Sequence, residues 1–209
     1  MLKRLEIQIA PDDLEFLKSN QYLLCFARTA NGNEPGIVWQ CFDDYLQNNP
    51  FSWFPEYQVF GSSAYDIGGV ATVDTTPGTI ALGQQTTLNA DAVFGPTVPL
   101  GAPNMFAIAN EYRQQIHLGF GAASTGPDGV QRITPVFVTP NAIGPNVICS
   151  FAPVDTVWVW FQQNIVNSTI VGPNLPNAAM IDLHWKDFGK WRYQDGKWSE
   201  QGGEWSNTL

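Results

Sequence analysis

The chain has 209 residues and a formal net charge of −9, and only 14% of its residues are charged. An acidic surface repels phosphate groups, so nucleic acid and anionic membranes are excluded as expected partners. Abundant Gly, Pro and aromatic residues favour short strands joined by tight turns. The length suffices for one substantial core, so we expect residues 1–209 to form a single β-rich domain.

One helix is predicted near the N-terminus. Pro11 suits its first position, Asp12 and Asp13 suit the positive end of the helix dipole, and Asn20 suits its end. Residues 43–48 are expected to add one further helical turn. The remaining chain is predicted to contain no other helix.

Strands and turns are predicted for the rest of the chain. The strands are expected at Leu5–Ile9, Tyr22–Arg28, Ile37–Phe42, Tyr57–Phe60, Gly69–Val73, Met105–Ala109, Gln114–Phe120, Gln131–Val138, Asn146–Phe151, Thr156–Gln162, Ala178–His184, Lys190–Tyr193 and Lys197–Glu200. Residues 75–103 have weak periodicity and are expected to be loops, as is the glycine-rich segment 119–126. This spacing predicts a mostly antiparallel β-sandwich or barrel with one short N-terminal helix.

The compartment is predicted from the N-terminus and the cysteines. Residues 1–7 have no apolar signal region, and no run approaches the roughly 18 apolar residues of a membrane span. Three cysteines are too few for a disulfide framework. We therefore expect a cytoplasmic protein.

Two of the cysteines flank a predicted hairpin whose loop is residues 31–36. A turn centred on Asn33 places Cys25 directly opposite Cys41, within disulfide reach. In a reducing compartment we expect both to remain buried thiols.

The C-terminal segment 186–209 carries a repeat with a period of seven: Gly189-Lys190-Trp191, Gly196-Lys197-Trp198 and Gly203-Glu204-Trp205. The pairs Asp195-Gly196 and Gly202-Gly203 suit two-residue hairpin turns, which require positive φ. The resulting three strands place their aromatic residues on one face: Trp191, Tyr193, Trp198 and Trp205. This face is either a lid on the core, a ligand platform or a homo-oligomer contact.

A local motif in this segment resembles the choline-binding repeat of bacterial surface proteins. Trp185, Gly189, Trp191 and Tyr193 have the spacing W-x-x-x-G-x-W-x-Y, and Gly196 follows near the expected turn. In that family such aromatic residues cage choline between successive hairpins. The match covers about fifteen residues of one repeat, and we interpret it as convergence on a favourable hairpin sequence.

A second aromatic group lies in the segment 157–161, where Trp158 and Trp160 point to one side and the valines and Phe161 to the other. Such a strand is either central and buried on both faces, or presents its tryptophans in a pocket or on a ledge. Trp53 belongs to another aromatic segment, in which a proline indicates an edge or a bend.

Residues for acid–base chemistry are sparse. Asp182 and His184 project from one face of a predicted strand, and His117 and Glu111 lie near another. If the strands meet, these groups form a proton-transfer cluster or a metal site. We expect neither a resident metal nor a cofactor, because the known phosphate- and dinucleotide-binding motifs are missing from the sequence.

Two functions remain open. The first is a ligand-binding sandwich whose aromatic ledge recognises a glycan, a zwitterionic lipid headgroup or another neutral small molecule; its candidate residues are Trp53, Trp158, Trp160, Trp191, Tyr193 and Trp198. In composition and size the chain resembles cytosolic fungal lectins and actinoporin-like cytolysins. The second is an isomerase, cyclase or lyase with an apolar pocket inside the β fold, using His117, Glu111, Asp182 or His184.

Overall fold

The computed structural model describes residues 1–32, 36–172 and 174–202. Its helix α1 spans Pro11–Ser19, and its strands are β1 (Lys3–Ile9), β2 (Leu23–Ala30), β3 (Gln40–Phe42), β4 (Asn48–Ser62), β5 (Gly78–Ile80), β6 (Gln84–Leu88), β7 (Val98–Pro99), β8 (Phe106–Asn110), β9 (His117–Thr125), β10 (Gln131–Val138), β11 (Val147–Phe151), β12 (Pro153–Gln162), β13 (Ala179–Asp182), β14 (Phe188–Gln194) and β15 (Lys197–Glu200). Strands make up 52% of the structure and helix 5%, which confirms the predicted mostly β class.

The strands form three open sheets. Sheet I has the order β10-β9-β4-β1-β14-β15, with β5 added to β4; sheet II has the order β13-β12-β2-β3, and sheet III the order β11-β8-β6-β7. Pairing is antiparallel except between β1 and β14 and between β6 and β8. The sheets pack in a sandwich-like arrangement.

Aromatic rings connect all three sheets through one apolar core. Phe26 of sheet II stacks on Phe51 of sheet I with ring centroids 4.3 Å apart, and Trp39 meets Phe51 edge-on at 5.2 Å. Phe106 of sheet III meets Phe120 of sheet I edge-on, also at 5.2 Å. All five rings are essentially inaccessible to water.

The predicted helix is confirmed, with Pro11 in its first turn and Asn20 as its C-cap. The predicted helical turn at 43–48 is wrong. The side chain of Asn49 provides hydrogen bonds to this segment in place of a helical turn. Its oxygen accepts from the backbone N–H of Leu46, and its nitrogen donates to the carbonyls of Leu46 and Ile7. Within the described ranges, no helix is both long and apolar enough to cross a membrane.

Strand β4 is far longer than the predicted four residues because it serves two partners. It pairs with β1 from Asn48 to Trp53 and with β9 from Ser52 to Ser62, and the register with β9 shifts between Trp53 and Tyr57. Pro55 lies inside this irregularity, where the missing backbone donor breaks no ladder hydrogen bond. This irregularity lies where the sequence predicted an edge or a bend, and Phe54 is 45% exposed there.

Two segments expected to be loops contain strands. Residues 75–103 include β5, β6 and β7. In β6 the buried residues are Thr86 and Leu88, and because the strand consists mostly of Gln and Thr, it shows no alternation of apolar and polar residues. The segment 119–126 is mostly the interior of β9. A Cβ on Gly119 would lie 2.6 Å from the Phe137 carbonyl oxygen, so its glycine permits close strand approach. Conversely, the predicted strand Gly69–Val73 is reduced to one bridge at Val70.

The predicted hairpin register is confirmed. Cys25 pairs directly with Cys41, and both are free thiols. Cys25 is buried as expected, whereas Cys41 is only half-buried, because it lies on the edge strand β3 of sheet II. The amide of Cys41 donates to the side-chain oxygen of Asn167 rather than across the pair, so the two cysteines form a non-hydrogen-bonded pair, the closer of the two antiparallel arrangements. Asn33, at the centre of the predicted loop, lies outside the described residues.

Burial should make these thiols unreactive despite their proximity. Burial and, to a smaller extent, nearby Asp43 raise the pKa of Cys41 to about 11, and burial raises that of Cys25 above its ordinary range. At neutral pH only about 1 in 10,000 Cys41 thiols is then ionised. In a Cys149→Ser variant, alkylation by iodoacetamide should be slow at pH 7 and accelerate about tenfold per pH unit. Rapid labelling at pH 7 would contradict this burial.

Candidate functional site

The aromatic face of the C-terminal hairpin points into the protein. Tyr193 pairs with Trp198 as predicted, across a turn in which Asp195 and Gly196 both have positive φ. Trp198 stacks on Phe161 of sheet II at 5.6 Å with an interplanar angle of 6°, and Tyr193 lies 4.8 Å from the same ring. The hairpin is therefore a lid on the core.

Trp191 lies on this same inward face and packs half-buried against the main core. The predicted third strand with Gly203, Glu204 and Trp205 lies outside the described residues. The described hairpin consequently presents no open aromatic platform.

The other predicted ledge residues do not form a continuous surface either. Trp160 is 0% and Trp53 2% exposed, whereas Trp158 is half-buried beside Trp160 in a second apolar cluster. Strand β12 lies centrally between β13 and β2, and the segment leading to β13 covers its second face through Ile165 and Leu175. The central-strand interpretation is confirmed, and the ledge interpretation is wrong for Trp160.

The candidate acid–base residues lie on three different sheets. His117 begins β9 in sheet I, where its Nδ1 lies 2.7 Å from the Thr139 carbonyl oxygen. Glu111 is exposed just after β8 of sheet III, and Asp182 ends β13 in sheet II. Among the described residues, no three His, Cys, Asp or Glu side chains are arranged to hold a metal ion.

His184 belongs to a turn that carries a tryptophan missing from the predicted site. Trp185 is 90% exposed, more than any other large apolar side chain in the described part of the chain. The His184 ring meets its indole edge-on at 4.3 Å. The turn is anchored before the tryptophan, where the His184 amide donates to Asp182 and the Leu183 amide to the Asp155 carbonyl, and it is closed after it by the Lys186 amide, which donates to the Leu183 carbonyl. A large apolar ring is thus held in water on an ordered turn.

Trp185 stands between two open grooves. Groove A, of about 490 Å³, is lined by Met1, Lys3, Trp53, Pro55, Leu82, Asp155, His184, Trp185 and Asp187. Groove B, of about 320 Å³, is lined by Met180, Ile181, Asp182, Leu183, Trp185, Lys186, Trp191 and Glu200. Four of the residues that the sequence suggested line these grooves: Trp53 and His184 line groove A, and Asp182 and Trp191 line groove B.

Lys3 organises the floor of groove A. Its ammonium lies 3.4 Å from a carboxylate oxygen of Asp155 and 3.5 Å from one of Asp187. It also donates to the carbonyls of Leu183 and Lys186 at 2.9 and 3.0 Å, closing the two ends of the tryptophan turn. The same cation therefore fixes the turn and neutralises the carboxylates beside it.

A second cation, Arg28, lies behind this floor and is 1% exposed. Its guanidinium carbon lies 5.2 Å from the Trp39 ring and 5.5 Å from the Trp53 ring. One terminal nitrogen donates to the Val154 carbonyl at 3.0 Å and lies 3.5 Å from Asp155. Its Nε and other terminal nitrogen have no hydrogen-bond partner among the described residues. Asp155 is consequently held between two cations at the bottom of the groove.

Sequence reasoning identified Trp185 only as the first position of the W-x-x-x-G-x-W-x-Y motif. Its context offers one usable signal, because His184, Lys186 and Asp187 surround it with polar residues, which is unusual for a core tryptophan. The groove itself had no local signal, since its lining comes from distant parts of the chain.

Comparisons with known proteins assign no family to this chain: no family model, curated protein or solved structure matches it. The functional argument therefore depends on the geometry around Trp185.

Proposed function

We propose that this protein is a lectin-like β-sandwich module that binds a neutral glycan at groove A, with a sugar ring stacked on Trp185. The observation that carries the proposal is a 90% exposed indole on an anchored turn. Its apolar plate suits the C–H face of a sugar. The partly accessible carboxylates of Asp155 and Asp187 are hydrogen-bond acceptors for sugar hydroxyls.

The surroundings favour a neutral ligand over a charged one. A quaternary ammonium is recognised best by several aromatic faces, whereas Trp191, Tyr193 and Trp198 pack half-buried against the core. An anion would compete with Asp155 and Asp187 for Lys3, in a protein of net charge −9. A neutral polyol leaves these ion pairs intact, and its hydroxyl groups donate to the remaining lone pairs of the two carboxylates.

Replacing Trp185 tests the proposal. Neutral glycans that bind on an array would be titrated by calorimetry against the Trp185→Ala and Trp185→Phe variants. We expect Ala to weaken binding at least about tenfold, since a tryptophan at the centre of a binding site often contributes about 2 kcal/mol, and Phe to retain part of the affinity. Stability should change by less than about 0.5 kcal/mol, because the ring is exposed.

Phe16 supplies the matched control, because it is an exposed aromatic residue on α1 that lines neither groove. Phe16→Ala should bind as the native chain does, and affinity should change little with ionic strength. Failure of every neutral glycan to bind, or equal binding by Trp185→Ala, would refute the proposal. Binding to phosphatidylcholine vesicles alone would assign the surface to a lipid headgroup instead.

A further inference from the structure

Groove A borders a third groove at Pro55. Groove C, of about 640 Å³, is lined by Pro55, Glu56, Tyr57, Gln58, Thr79, Ile80, Ala81, Gln84, Thr97 and Ile133. Pro55 lines both A and C, just as Trp185 lines both A and B. Leu82 of groove A also follows Ala81 of groove C directly in the chain. The three grooves therefore adjoin one another in the order B, A, C, with Trp185 and Pro55 at the two borders, and we call this row of grooves the channel.

From this arrangement we propose that the natural ligand is a linear neutral oligosaccharide of several sugar units, which runs from groove B past Trp185 and Pro55 into groove C. The inference rests on the proposed function and specifies its ligand. Each groove alone reaches the volume of a small-molecule site, about 300 Å³ or more. A monosaccharide on Trp185 would leave most of the channel unfilled.

The backbone irregularity of β4 creates the junction between grooves A and C. The register shift between Trp53 and Tyr57 turns Pro55 outward, where it is exposed and borders both grooves. An apolar ring at this position offers contact to a sugar chain without requiring hydrogen bonds of its own. The bulge therefore places Pro55 at the border where grooves A and C adjoin.

The channel walls are suited to hydroxyl groups. Groove C is lined by the side-chain amides of Gln58 and Gln84 and by the hydroxyl of Thr79. Each of these three groups can donate and can accept hydrogen bonds. Its only charged lining residue is Glu56. In groove B, Lys186 is already paired with Glu200 at 2.7 Å.

The ion pairs also distinguish a neutral chain from an acidic one. Both lysines that line the channel are engaged by carboxylates, Lys3 in groove A and Lys186 in groove B. An acidic polysaccharide would have to displace those carboxylates while approaching Glu56 and Asp182. A neutral chain incurs neither cost.

The test is binding as a function of chain length. Homo-oligomers of glucose, mannose, galactose and N-acetylglucosamine would be titrated by calorimetry, each graded from the monosaccharide to the hexasaccharide. We expect affinity to rise with length in at least one series until the channel is filled. Affinity independent of length would overturn the inference while leaving the Trp185 proposal intact. No binding in any series, or binding only of an extended peptide, would overturn both.

Variants at the far end of the channel sharpen the test. Gln58→Ala and Thr79→Ala should each weaken hexasaccharide binding about three- to tenfold, the effect of one lost hydrogen bond, and leave the shortest ligands unaffected. Gln131→Ala is the control, because this exposed residue lies two positions from Ile133 on β10 but outside the channel. Trp185→Ala should weaken binding at every length. Equal effects of Gln58→Ala on short and long ligands would contradict an extended binding mode.

Discussion

A chain that ends at Trp185 is expected to lose its cooperative fold. The truncation removes β14, which pairs with β1 from Arg4 to Ile9, and β15, the edge strand of sheet I on that side. It also removes the rings of Trp191, Tyr193 and Trp198 from the core. Burying a large apolar side chain contributes about 1.5–3 kcal/mol, so half-burial of three gives a loss of several kcal/mol. The total free energy of unfolding of most domains is only about 5–15 kcal/mol.

The matched comparison is a chain that ends at Gly202. It retains β14, β15 and their described contacts with the core, so we expect one cooperative thermal transition close to that of the full-length chain. Calorimetry and near-ultraviolet circular dichroism would follow unfolding, and light scattering would follow mass. A shorter chain ending at Trp185 that melts like the native protein would refute the lid. If that shorter chain stayed folded but changed its mass, the tail would act as an oligomer contact.

Features governed by local chemistry could be predicted from the sequence. The Asp195-Gly196 turn follows from its need for positive φ, and it fixes the partner of Tyr193. The register of Cys25 with Cys41 follows from the loop between them. The burial of β12 on both faces follows from its continuous apolar sequence. In each case the signal lies within about twenty residues, the range over which turns set register.

Features created by distant segments could not be predicted in this way. Strand β1 pairs with β14, which lies near the other end of the chain, and no local pattern specifies a parallel partner. The channel combines Lys3, Pro55, Asp155 and Trp185, which are brought together only when sheets I and II pack. The repeat in the tail predicts an aromatic face there, whereas the exposed ring of Trp185 lies on the turn before the tail. Exposure is decided by packing, and composition does not reveal it.

Arg28→Ala is expected to destabilise the protein by about 3–5 kcal/mol, because it empties a buried volume between Trp39 and Trp53 and removes one of the two cations that hold Asp155. Arg28→Met should cost far less. Its side chain fills a similar volume, and it eliminates two buried polar groups that have no hydrogen-bond partner among the described residues. Chemical denaturation with urea gives both free energies of unfolding.

The methionine variant also separates stability from recognition. Lys3 remains beside Asp155, but the carboxylate loses the cation that fixes it from behind, at the Oδ1 atom. We therefore expect Arg28→Met to stay folded and to bind the glycan about three- to tenfold more weakly, the effect of one misplaced hydrogen bond. If methionine destabilises as much as alanine, the buried charge itself contributes to the fold. If methionine leaves both stability and affinity unchanged, Arg28 does not position Asp155, and Lys3 alone holds the floor of groove A.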